Sequence, residues 1–119
     1  MKNTVFIGSV ISSRIALETL IEWGVKIDLV CSLDEKAAIH VSDYYPLHRV
    51  AEKFHLPCIK YKKINSEDVI QRIRAVKPDL IFVIGISQII SSEILNLAKE
   101  YTIGFHPTPL PKYRGRAAL

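Results

Sequence analysis

The chain has 119 residues, 49 % of them hydrophobic and 24 % charged, with a formal net charge of +4. That length is one domain's worth, able to bury very roughly two thirds of the surface its unfolded form exposes, and the composition excludes a disordered chain. No apolar run approaches the roughly 20 residues a membrane helix needs, and a charge this small does not by itself establish a nucleic-acid partner.

The first element is Asn3-Thr4-Val5-Phe6-Ile7-Gly8-Ser9, an apolar run closed by a glycine, which predicts a buried strand entering a turn. No small-residue cleavage site follows this run, so a secretory signal is not expected. Residues 12–24, SSRIALETLIEWG, carry apolar side chains at helical spacing (Ile15, Leu17, Leu20, Ile21), serines before them and Gly24 after, and predict a helix. VKIDLVCS predicts a second strand, Leu33 to Tyr45 a loop, and PLHRVAEKFHLP a helix with proline in its first turn that ends at Pro57. CIKY then reads as a short strand. NSEDVIQRIRAVKP has an Asn/Ser cap and an acidic first turn, favourable against the helix dipole, and DLIFVIG is the clearest buried strand in the chain. SSEILNLAKE predicts a short helix and YTIGF a last strand.

Strand alternates with helix, so the expected class is α/β: a Rossmann-like parallel sheet with helices on both faces. No repeat, linker or low-complexity segment divides residues 1–119, which read as a single domain. Ligands bind such sheets outside the carboxyl ends of the strands, and three loops fall there: FIGSVISS, FVIGISQ and GFHPTPLP.

The first loop, with Ser9 beside Gly8, opens a helix but lacks both GxGxxG and GxxxxGK[ST], so it reads as a structural turn rather than a nicotinamide or ATP site. The second, Gly85-Ile86-Ser87-Gln88-Ile89-Ile90, has a glycine that permits close approach of a flat ligand, with backbone groups able to read a heterocycle's edge; an ordinary strand-to-helix connection is the other reading. In the third, His106 precedes Pro107-Thr108-Pro109-Leu110-Pro111, which fixes backbone angles and holds one imidazole in place, as acid/base or oxyanion work requires, although a lone histidine is more often structural. His40, His48 and His55 read as surface or packing residues. Cys31 and Cys58 share no metal-ligand spacing and read as reduced thiols, which fits a cytoplasmic protein with no metal. Basic residues gather at Lys60, Lys62 and Lys63 and at Lys112, Arg114 and Arg116, where an anionic ligand is one reading and a solvated face the other.

GFHPTPLPKYRGRAAL resembles the signature of formyltransferases that use 10-formyltetrahydrofolate, in which a histidine is followed by a Ser/Thr-Leu-Pro turn and an Arg-Gly pair. The resemblance runs back through KPDLIFVIGISQIISSEIL and FIGSVISSRIALETLIEWG and so covers nearly the whole chain. It implies the amino-terminal catalytic domain of that family, with a folate pterin held partly by Gly85, Ile86, Ser87, Gln88 and Ile89. It also implies that His106 stabilises the oxyanion formed when an amine attacks the formyl carbon. Ser9, Thr108, Leu110, Pro111 and Arg114 would shape the substrate side. Two departures matter: residue 104 is glycine where the family has asparagine, and the family's later aspartate has no counterpart within 119 residues. The expectation is therefore a fragment of a longer formyltransferase, inactive alone. VSDYYPLHRVAEKFHLP, KKIN, GISQII and RGRAAL look most like members that formylate a nucleotide-linked amino sugar. Methionyl-tRNA is the runner-up acceptor, with a formyl hydrolase and a non-catalytic folate- or nucleotide-binding relative as the competing classes.

Overall fold

A computed structural model describes residues 1–105 and the two-residue strand Ala117–Ala118. Six strands make one sheet, all neighbours parallel: β1 (Thr4–Gly8), β2 (Leu29–Leu33), β3 (Cys58–Tyr61), β4 (Leu80–Ile84), β5 (Tyr101–Phe105) and β6 (Ala117–Ala118), in the order β3-β2-β1-β4-β5-β6. The connecting helices are α1 (Ile11–Glu22), α2 (His48–Lys53), α3 (Glu67–Val76) and α4 (Ser92–Leu95). This is the doubly wound α/β arrangement that the alternating pattern predicts.

Strand side chains alternate between two cores, as the pleat requires. Phe6 and Val30 pack with Leu17 of α1 and with Leu47, Val50 and Ala51 around α2. Val5, Ile7, Leu29, Cys31 and Ile81 pack on the other face with Val69, Ile70 and Ile73 of α3 and Ile94 of α4. Helices thus cover both faces, and the central strands are buried along their length.

Three elements differ in extent from the sequence reading. Helix α2 stops at Lys53 because His55 takes φ +58° and the His55 and Leu56 N–H groups turn back to the carbonyls of Glu52 (3.3 Å) and Ala51 (2.8 Å), a Schellman stop. Helix α4 lasts one turn because Lys99 N–H and Glu100 N–H donate to Pro78 O (2.9 Å) and Asp79 O (3.0 Å), drawing the chain into β5. Strand β6, where the sequence predicts none, exists through its pairing with Thr102 and Ile103 of β5.

Candidate active site at the strand switch point

The strand order reverses between β1 and β4, where a parallel sheet opens its ligand crevice. Both strands end there in a glycine-bearing turn, after Ile7 and Val83 pair side by side. Ser9 N–H donates to Gly85 O (3.0 Å), and Ser9 Oγ donates to the same carbonyl (2.8 Å). The structure therefore joins Ser9 to Gly85, two of the residues singled out from sequence.

Ser13 locks this junction. Its fully buried hydroxyl accepts from Ser9 N–H (3.1 Å) and Val10 N–H (3.2 Å) and donates to Ile84 O at 2.6 Å. The capping of α1 thus comes from the third residue of the helix rather than from a serine ahead of it. Gly85 has φ +67°, and a Cβ there would run into Ser13 Oγ and lie 2.6 Å from Val10 Cγ2, so glycine is required on both counts. Since Ile11 N–H donates to Asp43 O (2.9 Å), the amides of Ser9, Val10 and Ile11 are all partnered, and the amino end of α1 offers them to no phosphate.

The segment after β4 divides by role. Ile86 and Ile90 pack against the α3-side core, whereas Ser87 and Ile89 face outward, Ile89 with 89 % of its surface exposed. The half-buried Gln88 turns toward the β3–α3 connection: its Oε1 accepts from Ile64 N–H (2.7 Å) and its Nε2 donates to Lys62 O (2.7 Å). Asn65, a residue the sequence presented only as a helix cap, makes the complementary pair. Its Nδ2 donates to Ile89 O (2.8 Å) and its Oδ1 accepts from Ser91 N–H (2.9 Å). Ser66 holds the cap position of α3 but makes no side-chain capping bond. Among the described residues, the backbone N–H groups of Ser87 and Gln88 have no acceptor, which leaves a polar backbone edge free beside the crevice.

Tyr61 supports the floor. It is 2 % exposed, its hydroxyl donates to Gly8 O at 3.4 Å, and burial pushes its phenol well above the usual tyrosine range. Glu35, beside the β3 edge, contacts His48 Nε2 (2.8 Å) and Lys60 Nζ (3.6 Å). A hydrogen bond from its own backbone N–H, followed by those neighbours, lowers its carboxyl to about 2. His48, Glu52, Cys58 and Lys60 line an open groove of about 440 Å³ on that outer edge. Burial raises both thiols, Cys58 to about 11 and Cys31 further. Among the described residues no three His, Cys, Asp or Glu side chains converge to hold a metal, and no helix is long and apolar enough to cross a membrane.

His106, Thr108, Leu110, Pro111 and Arg114 lie outside the described residues. Strand β5, which leads to them, ends at Phe105 paired with Ile84, at the same edge as Gly85. Gly104 sits within β5, paired with Val83.

Residues 5–119 match the family described as "Formyl transferase". Methionyl-tRNA formyltransferase of Citrifermentans bemidjiense is 33 % identical over 117 residues, covering 97 % of this chain and 37 % of that protein. The Thermotoga maritima protein of the same name is 35 % identical over 74 residues, covering 62 % of this chain and 24 % of its own length. The chain thus spans well under half the length of these relatives. Two solved structures share the fold. Phosphoribosylglycinamide formyltransferase from Brucella melitensis superposes with a TM-score of 0.67 at 18 % identity, covering 96 % of this chain and 61 % of that one. Glycinamide ribonucleotide transformylase 1 from Geobacillus kaustophilus gives 0.65 at 14 %, covering 97 % and 63 %.

Proposed function

Because the chain belongs to the formyl transferase family, we propose that it is the donor-binding part of an enzyme that moves a formyl group from 10-formyltetrahydrofolate to a primary amine. The observation that carries this reading is the backbone edge at Ser87 and Gln88, whose N–H groups have no acceptor among the described residues and which follows the turn held by the Ser9–Gly85 and Ser13–Ile84 bonds. A pterin is a flat heterocycle with alternating donors and acceptors, and backbone N–H groups on such an edge can meet its acceptors.

In this reading the acceptor nitrogen attacks the formyl carbon while the carbonyl oxygen gathers negative charge. His106 donates to that oxygen, and the proton lost by the amine leaves through a base on the acceptor side. Collapse of the tetrahedral adduct breaks the bond to N10 of the folate, which takes up the proton removed from the amine, and tetrahydrofolate leaves. Thr108, Leu110, Pro111 and Arg114 shape the acceptor side. Removing one oxyanion donor costs on the order of a hundred- to a thousand-fold in rate, so Gly104 in place of the family's asparagine calls for a donor from elsewhere in the protein.

For the acceptor, the relatives named methionyl-tRNA formyltransferase favour the amino group of methionyl-tRNA over the nucleotide-linked amino sugar suggested by the sequence alone. Exposed Lys62 and Lys63, without ion-pair partners among the described residues, suit the phosphates of either acceptor. The partnered amides at the start of α1 argue against a phosphorylated glycinamide held there. The deciding assay supplies the natural gene product with 10-formyltetrahydrofolate and, in parallel, methionyl-tRNA, a nucleotide-linked amino sugar, or buffer. Formyl-methionyl-tRNA is the expected product. A formylated sugar reverses the choice of acceptor, formate in buffer alone indicates a hydrolase, and folate binding without transfer to anything refutes the enzyme reading.

A further inference from the structure

We propose that Asn65 and Gln88 are positioning residues for the folate donor, two carboxamide clamps that hold the donor loop in its binding shape before any ligand arrives. The inference rests on the donor reading above and adds to it a role for a residue outside the loop, Asn65.

The geometry is reciprocal. Gln88 reaches from the donor loop to the β3–α3 connection and bonds Ile64 N–H and Lys62 O, both at 2.7 Å. Asn65 reaches back and bonds Ile89 O at 2.8 Å and Ser91 N–H at 2.9 Å. Each carboxamide uses its oxygen and its nitrogen at once, which fixes side-chain rotation and both backbones together. The β3–α3 side is a firm anchor, since Tyr61 and Ile64 are 2 % and 1 % exposed.

Without these bonds, the stretch from Ile86 to Ser91 has neither helix nor strand to order it. A ligand docking on Ser87 and Gln88 would then have to order that backbone itself, at a cost in affinity. With the clamps, Ile89 is also held outward, 89 % exposed, beside the Ser87 and Gln88 amides that have no acceptor among the described residues. Both clamps bond backbone groups of the donor loop and of the β3–α3 connection, so their loss should register in donor binding rather than in the chemical step.

The test titrates 5-formyltetrahydrofolate, a stable reduced folate, into the natural gene product and its Asn65→Ala and Gln88→Ala variants, and measures KM for donor and acceptor separately. About a tenfold rise in folate Kd and donor KM is expected in each variant, as follows from losing one or two net hydrogen bonds, with acceptor KM and kcat at saturating donor unchanged. A folate Kd within twofold of the unsubstituted protein overturns the proposal, and so does an equal fall in every parameter. Should Asn65→Ala fail to fold, Asn65→Asp is read by the same criteria, because it keeps the acceptor for Ser91 N–H and loses only the donor to Ile89 O. Absence of folate binding by the unsubstituted protein sinks the donor reading itself, and is recognised without any variant.

Discussion

Replacing Gly85 by alanine tests the switch-point geometry directly, because Gly24 provides an internal control. Both glycines have positive φ, +67° and +85°, but a Cβ at Gly24 meets nothing within 4 Å, whereas one at Gly85 meets Ser13 Oγ, Val10 Cγ2 at 2.6 Å and Ser12 Oγ at 2.9 Å. Gly24→Ala should therefore cost only the left-handed backbone penalty, about 1 kcal/mol. Gly85→Ala adds overpacking of about 1–3 kcal/mol, and displacing the Ser13 hydroxyl weakens bonds worth about 1 kcal/mol net. The total is about 3–5 kcal/mol, a large share of a typical domain's stability. Urea unfolding followed by circular dichroism reads both. A second arm repeats Gly85→Ala in a Ser13→Ala background, where the Oγ collision is gone and the added cost should fall by about 1 kcal/mol or more. Equal losses for Gly24→Ala and Gly85→Ala would refute the packed-junction argument.

Three further outcomes follow from the same geometry. Ser13→Ala leaves the Val10 N–H without its acceptor and should cost about 1–3 kcal/mol in urea unfolding, whereas the exposed neighbour Ser12→Ala should change stability by under about 0.5 kcal/mol. With the Cys58 thiol raised to about 11, only about one molecule in a thousand is thiolate at pH 8, against about one in four for a free cysteine. Native Cys58 should therefore react with a thiol reagent a few hundred-fold more slowly than the unfolded chain, and Cys31, fully buried, more slowly still; rapid labelling of Cys31 in the folded protein would contradict the packing of β2. Glu35 has a folded carboxyl lowered from 4.5 to about 2, so the unfolded chain takes up this proton first, and the stabilisation is present above about pH 4.5 and lost as pH falls toward 2. Glu35→Gln should flatten the fall in stability across that window, and an unchanged slope would mean that the backbone N–H bond and the contacts with His48 and Lys60 do not hold the carboxylate in solution.

The elements most legible in the sequence are those whose local pattern and tertiary fate agree. DLIFVIG becomes β4 and NTVFIGS becomes β1 because a continuous apolar run between turn residues suits a strand buried on both faces. Where an element's limits come from distant partners, the pattern misleads. The five residues of SSEILNLAKE beyond Leu95 still read as helical, yet carbonyls at Pro78 and Asp79 pull that chain away after one turn. Ala117–Ala118 carries no strand signal and becomes a strand only through its place beside β5.

That Ser9 and the segment from Gly85 share one edge was legible for a topological reason: any loop after a parallel strand lies at that edge. The division of labour within the loop was not. Gln88 reads as a ligand-binding side chain and Asn65 as a helix cap because a carboxamide in sequence shows its donor and acceptor but not their partners. The order β3-β2-β1-β4 leaves two strands between the ends of β3 and β4, about 14 Å at usual strand spacing. Loops rooted that far apart meet only because the connection through α3 carries both over one face of the sheet, with Tyr61 reaching beneath them toward Gly8. The two carboxamides of Gln88 and Asn65 close that span, so the shape of the loop after β4 depends as much on the crossover between β3 and β4 as on its own residues.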